Sequence, residues 1–443
     1  MPALSKLTLV ACAAWAACTL VPPAAAQTAA SGRLAPLVDE IYPRLEALYQ
    51  DLHAHPELGF QETRTAAALA AQMRALGFEV TEGVGRTGVV ALYRNGSGPT
   101  VLVRTELDAL PMEEKTGLPY ASRARAQWNG SETFVAHSCG HDIHMASWVG
   151  TAQALLALKD QWHGTLMFIG QPAEESVGGA KAMVDDGLFK RFPKPDFAFA
   201  LHTDPMAYGY VGYRAGPMTS AADGLEITFK GRGGHGSAPH ATIDPIAIGA
   251  HFVTDVQTVV SREKNPFEFG VVTIGAFQAG TVGNIIPAEA RLSGTIRSYD
   301  PAVRRKLIDG VRRTALASAA SAGAPEPELH VGEGGVGAVV NDAALVQRTV
   351  AALQAQLGAD HVVQVPPITA SEDFSVLGEN GIPSMFFVVG VSDPKDVAAS
   401  KQPGGKPLPF NHSPFFAPVP EPSIKVGVRA MTTAVLSAMG AKH

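Results

Sequence analysis

Two short, nearly uninterrupted apolar runs, Thr165–Ile169 and Phe197–Leu201, constrain this chain more than any other feature. Such runs suit strands buried on both faces, as in a mostly parallel sheet. Each ends in polar residues: Gln171 to Glu175 after the first, His202 after the second. Ligand sites in open α/β sheets gather at those strand ends. The flanking segments carry the helices such a sheet requires. Leu37, Ile41, Leu45, Leu48 and Leu52 recur at helical spacing. Thr63 to Leu76 is Ala-rich and stops at Gly77, and Met145 to Leu158 reads as another helix. Val89–Tyr93 and Thr100–Arg104 read as strands joined by the turn Asn95-Gly96-Ser97-Gly98. The expected fold class is α/β, with helices layered on a mixed, largely parallel sheet.

The pattern changes near residue 218. Leu225–Lys230 alternates like a strand with one exposed face. A helical stretch follows from Asp244 to Arg262, then strands near Val271–Phe277 and Ala290–Arg297, a helix from Arg304 to Ala322, and a strand at Glu328–Val331. This order predicts a split α+β sandwich inserted in the larger domain. The expected organisation is a catalytic domain over 33–217 and 333–443, interrupted by a satellite domain over 218–332. Lys395–Asn411, rich in Pro, Gly and Lys, reads as an exposed loop.

The first 26 residues read as an address. Lys6 precedes an uncharged apolar stretch from Leu7 to Val21, and Ala24-Ala25-Ala26 forms a small-residue cleavage site. The apolar stretch is short for a membrane span and ends at Pro22-Pro23. A cleaved secretory signal is the expectation, with a periplasmic or secreted mature chain and no stable membrane insertion. Leu9-Val10-Ala11-Cys12 also resembles a lipoprotein-processing site, though few apolar residues precede it. The whole chain has 443 residues and a net charge of −6. That charge argues against a broad nucleic-acid surface. Of the three cysteines, Cys12 and Cys18 leave with the leader, so Cys139 alone remains.

Cys139 stands in the densest chemical cluster, His137-Ser138-Cys139-Gly140-His141-Asp142-Ile143-His144. Residues at i and i+2 diverge on a helix but converge from a turn that Gly140 permits. Thiolate and imidazole are both metal ligands. A lone Cys is more often a small core residue; three His and a Cys within eight positions favour metal. Glu174-Glu175 follows a strand and Pro172. One such carboxylate can bind metal while its neighbour faces substrate as a base, although a loop acid pair is often merely solvated. His202 and His412 are unremarkable singly. Together the set suffices for two divalent ions.

These residues, taken in order, resemble the M20 metallopeptidase clan, in particular its amidohydrolase branch of hippurate hydrolases, N-acyl-amino-acid amidohydrolases and auxin-conjugate hydrolases. The matching segments begin at His53-Ala54-His55-Pro56-Glu57 and continue through Asp108-Ala109-Leu110-Pro111, Cys139-Gly140-His141-Asp142 and Gln171-Pro172-Ala173-Glu174-Glu175. They go on through Leu201-His202, Gly234-His235, Asn284-Ile285-Ile286-Pro287, Gly294-Thr295-Ile296-Arg297 and Ser371-Glu372-Asp373-Phe374 to His412-Ser413-Pro414. The resemblance implies metal ligands at Cys139, His141, Glu175, His202 and His412, and Glu174 as general base. It implies that His235 and Asn284 reach the active site from the satellite domain, His235 to polarise the scissile carbonyl. Arg297 is a candidate for the substrate carboxylate, against the alternative of a surface strand arginine. His53, His55 and Glu57 are expected to organise the domain floor. Ser371-Glu372-Asp373 reads either as a helix cap or as support for the ligands. The chain departs from the family pattern at Glu106, usually Asp, at Ser138, usually Ala, and at Ile143, usually a small residue.

The implied activity is hydrolysis of the amide bond of N-acyl amino acids with two divalent ions, manganese or zinc. The alternatives are a dipeptidase or carboxypeptidase of the same clan, or a non-catalytic binding protein on the same fold. The implied partners are the small-molecule substrate and a second copy of the chain, paired through the satellite domain.

Overall fold

A computed structural model describes residues 24–439. The expected leader, residues 1–26, lies almost wholly outside them. An eight-stranded mixed sheet forms the larger unit. Its centre is four parallel strands, in the order Gly164–Gln171, Thr100–Glu106, Phe197–Ala207 and Ser384–Ser392. The two apolar runs are therefore neighbours of the sheet centre, as their composition demands. Glu79–Val84 and Gly88–Asn95 extend one side in antiparallel pairing. The short strands Val211–Tyr213 and Val362–Gln364 complete the other.

One face of the sheet is covered by the helices Ala24–Ala54, Thr63–Ala75, His141–Ala157, Ala343–Leu357 and Pro420–Met439. The helix His141–Ala157 is buried along nearly its whole length, which explains why it shows no polar face in sequence. It begins four residues earlier than its apolar pattern, because His141, Asp142 and His144 occupy its first turn. The other face carries a second core, including Met183, Phe374, Leu377 and Phe386, and looks toward the smaller unit.

That unit is a four-stranded antiparallel sheet in the order Gly270–Ala279, Glu289–Ser298, Ala221–Lys230, Glu328–Val331. The helices Pro245–Asp255 and Pro301–Ser321 close a separate core against it. The chain leaves the larger unit beside the point where it returns, since Gly216–Pro217 pairs with Val340–Asn341. The expected single helix over 244–262 is two pieces. The α-helix ends at Asp255, and a π-turn spans Val259–Glu263. The expected loop after Lys395 begins as a helix, Pro394–Ser400, capped by Asp393 through the Lys395 amide at 2.7 Å. Among the described residues no helix is long and apolar enough to cross a membrane.

Candidate metal centre

Three segments converge at the C-terminal ends of the central parallel strands. The first is the turn Ser138–Gly140 leading into the helix at His141. Gly140 adopts φ 88°, and a Cβ there would lie 2.6 Å from Thr203 Oγ1. A side chain is excluded by both conformation and space. The Thr203 hydroxyl donates to the Cys139 carbonyl at 2.7 Å, tying the turn to the strand that carries His202. The second is the loop after Gln171, where Ala173 and Val177 hold φ of 47° and 53°. Positive φ is rare for any residue with a Cβ and most costly for a branched one. This strain brackets Glu174 and Glu175. The third is Asn411-His412, with His412 itself at φ 68°. The His412 amide donates to Ser138 O at 2.7 Å, and Asn411 Nδ2 donates to Cys139 O at 3.0 Å.

These anchors bring the expected ligands together. Cys139 Sγ lies 3.4 Å from His202 Nε2 and 3.3 Å from His412 Nε2. His412 Nε2 is 3.3 Å from Glu175 Oε2, and His141 Nε2 is 3.8 Å from Glu175 Oε1. Glu174 joins the same group, 3.9 Å from His141. Glu175 belongs both to the set Cys139, Glu175, His412 and to the set His141, Glu174, Glu175. Two partly overlapping ligand sets fit a two-ion centre.

The hydrogen bonds fix the imidazoles in ligand form. His141 Nδ1 donates to Asp108 O at 2.7 Å, and His202 Nδ1 donates to Thr203 O at 2.8 Å. Each Nε2 lone pair is left facing the centre. His141 Nε2 and Glu175 Oε1 are buried without a hydrogen-bond partner, and such atoms are costly unless something compensates them. His144 is different. Its Nε2 accepts from the Thr203 amide at 2.8 Å while Nδ1 donates to Glu106 at 2.9 Å, so both nitrogens are used and it supports rather than ligates.

The electrostatics point the same way. Burial, reinforced by Glu175 and Glu174, raises the Cys139 thiol well above its usual range. Burial, reinforced by Glu372, Glu175 and Asp373, raises Glu174 likewise. Against burial, which lowers it, Asp108, Glu106 and Glu175 lift His141 to about 10. All three shifts go in the direction that added positive charge reverses. His202 goes the other way, lowered to about 3 by burial and by His144. The donor set, its orphaned atoms and its excess of negative field fit divalent cations.

Beneath Glu174 lies a buried ionic network not foreseen from the sequence. Arg104 pairs with Glu106, donates to Glu372 Oε1 at 2.6 Å and to Gln171 Oε1 at 2.9 Å, and reaches Asp373 at 3.2 Å. Asp373 also accepts from Gln171 Nε2 at 2.7 Å and from the Ala180 amide at 3.0 Å. Glu372 and Asp373 thus hold the strained loop from below. Of the two readings left open for them, the supporting one is what the contacts show. Glu372 also takes the Phe374 amide at 2.9 Å. The sequence signal was an arginine ending an apolar strand. The domain floor is organised in part as expected: His53 bridges Asp142 at 2.6 Å and Glu114 at 3.1 Å, and Glu57 accepts the Thr65 amide at 2.7 Å. His55 is instead exposed and bonds only locally, to Asp51 O at 2.8 Å.

A cavity of about 550 Å³ opens over the centre, lined by Cys139, Glu174, Glu175, His202 and His412, and roofed in part by Arg297 from the smaller unit. Arg297 Nη1 is buried without a partner, which a surface strand arginine would not be. His235 and Asn284 do not line this cavity. They sit together on a two-stranded ribbon at the tip of the smaller unit, with Gly236 N donating to Asn284 O at 2.8 Å and His235 exposed. Their expected place in the active site is not seen in a single chain in this arrangement.

Comparison with known proteins agrees with this geometry. The profile "Peptidase family M20/M25/M40" matches residues 102–435. N-acetylcysteine deacetylase of Bacillus subtilis is 34% identical over 79% of this chain and 88% of its own length. Thermostable carboxypeptidase 2 of Saccharolobus solfataricus is 35% identical over 81% of this chain and 88% of its own. The solved structure of the Bacillus subtilis YXEP protein, described as a dinuclear metal binding peptidase from the M20 family, is 29% identical and superposes with a TM-score of 0.74, covering 90% of this chain and 99% of that one. With its ligand-bearing loops at the ends of the parallel strands and its profile match across both units, the chain belongs to peptidase family M20/M25/M40.

Proposed function

We propose that this protein is a metal-dependent amidohydrolase that cleaves the amide bond of N-acyl amino acids, with aryl or alkyl acyl groups. The observation that carries the reading is the pairing of two unpartnered features across one cavity. On one side is the orphaned donor set at His141 and Glu175, on the other the half-buried Arg297, whose Nη1 has no partner. A substrate with a scissile carbonyl near one and a carboxylate near the other fits both. Similarity to the deacetylase supports the N-acyl substrate class.

Cys139, His141, Glu175, His202 and His412 would hold two divalent ions, manganese or zinc, which would supply Lewis acidity toward the amide carbonyl and lower the pKa of a bound water. Glu174 takes the proton from the attacking water and returns it to the leaving nitrogen. Arg297 holds the substrate carboxylate and so fixes which carbonyl is presented. Arg104, through Glu372 and Asp373, keeps the Glu174 loop in its strained shape. His235 takes the role of carbonyl polariser when closure of the smaller unit, or a second copy paired through it, carries the tip over the cavity. In this reading residues 33–217 and 333–443 form the catalytic domain, 218–332 the satellite domain, and 1–26 a signal that directs the chain to the periplasm or outside the cell.

The test is hydrolysis of N-acetyl-, N-benzoyl- and indoleacetyl-amino acids by metal-reconstituted protein, beside the corresponding free dipeptides. Cleavage confined to the free-amine set would favour the carboxypeptidase or dipeptidase reading, which the thermostable carboxypeptidase similarity keeps in play. Glu174→Gln should bind metal normally and lose about 10²–10⁴-fold in kcat. Full retention of kcat would sink the mechanism.

A further inference from the structure

The cavity wall carries one carboxylate that the ligand set, the proton transfer and the Arg104 network all leave unused. Asp204 stands two residues beyond His202 on the strand Phe197–Ala207 and lines the same cavity. Residues two apart on a strand share a face, so Asp204 follows His202 about 7 Å further along the wall. In the parallel register His202 pairs with Val388 and Asp204 with Gly390, where a side chain would run into the backbone carbonyl of Ala207. The cavity lining combines the apolar Phe386, Val388 and Ile368 with the polar Thr203, Thr219 and Arg297.

The other acids of the site have cationic or imidazole neighbours. Glu106, Glu372 and Asp373 surround Arg104, and Glu175 lies against His412 and His141. Asp204 has none among the described residues. Its recorded hydrogen bond is the one its Oδ1 accepts from the Met206 amide at 3.0 Å, within its own turn. A half-buried carboxylate is unfavourable unless a donor or cation meets it. Here the open side is the cavity itself, so the partner comes with the ligand.

We propose that Asp204 forms a cation subsite, receiving an ammonium or guanidinium group carried by the substrate at the end of a chain of roughly lysine length. This rests on the amidohydrolase reading and narrows its substrate class to N-acyl amino acids with a basic group. The positive group belongs either to the amino acid or to the acyl part, and the two sources are separable.

The experiment uses matched pairs differing in a terminal ammonium or methyl group, with the full chain reconstituted with metal. Nα-acetyl-lysine against Nα-acetyl-2-aminoheptanoic acid reports on the amino-acid side. N-(6-aminohexanoyl)-leucine against N-heptanoyl-leucine reports on the acyl side. We expect kcat/KM to favour the cationic member of one pair at least tenfold, and this preference to fall at least tenfold in Asp204→Asn. Each ratio is taken within one protein, so altered metal loading or folding cancels. Asp204→Glu should restore part of the preference, and Asp204→Ser is a second removal of the charge should Asn prove insoluble. Equal rates within both pairs in the wild type, or a preference that survives loss of the charge, overturns the subsite while cleavage of the neutral members leaves the amidohydrolase standing. Failure to cleave any member overturns both.

Discussion

At the scale of single residues, the site is a set of imidazoles whose environments assign them different work. His141 and His202 are held by backbone carbonyls with Nε2 turned to the centre, His144 is spent on both sides, and His53 is held between two carboxylates. Burial alone would lower His53; its hydrogen bonds to Asp142 and Glu114 overcome it and raise the imidazole to about 10. The same bonds lower Asp142 and Glu114, each against the penalty of burial. A histidine raised from an unfolded value near 6.5 stabilises the fold fully below that value, and the contribution fades as pH climbs toward 10. Denaturant unfolding of metal-free wild type and His53→Gln should therefore differ by a few kcal/mol at pH 6 and by much less at pH 10. A gap that is equal at the two pH values would show that His53 is neutral in the folded protein.

At the scale of elements, the chemistry sits where one strand or helix stops and the backbone bends. The strand ends were legible in the sequence because buried parallel strands must be apolar, so polar residues immediately after them stand out. The split order of the smaller unit was legible for a similar reason, since its strands alternate and its helices do not. What the sequence hid was support at long range. Arg104 looks like the end of a strand until Glu372 arrives from 268 positions away, and no local pattern encodes that meeting. Helix starts were hidden too: Asp300 caps Pro301–Ser321 through the Ala302 amide at 2.7 Å, three residues before the apolar pattern declares itself. The turn at Gly140 is the element whose failure should matter most. Gly140→Ala must place a methyl group against Thr203 while holding φ at 88°, so the turn shifts instead. We expect a loss of about 1–3 kcal/mol in stability and weaker metal binding, because Cys139 and His141 flank the shift. Ala at this position with unchanged metal stoichiometry and affinity by titration calorimetry would show that the turn does not set the ligand geometry.

At the scale of the whole molecule, each unit has its own core, and the cavity lies where they face each other. The larger unit contributes every expected metal ligand and Glu174. The smaller contributes Arg297 from the strand Glu289–Ser298, in register with Ala222 on one side and Val271 on the other. On the proposed reading, reaction and recognition are divided between two bodies, and the substrate is the object that spans them. If Arg297 binds the substrate carboxylate, replacing it should affect capture far more than chemistry, because the reacting carbonyl is handled by the other unit. A charge-assisted hydrogen bond contributes about 1.5–3 kcal/mol, which corresponds to roughly a ten- to hundredfold rise in KM for Arg297→Met. Substrates whose carboxylate is capped as an amide should already bind poorly to the wild type and lose little more in the variant. That double comparison separates recognition from a structural role, which would lower activity on free and capped substrates alike. Equal losses on both would remove Arg297 from the substrate's path and leave the two units coupled by packing alone.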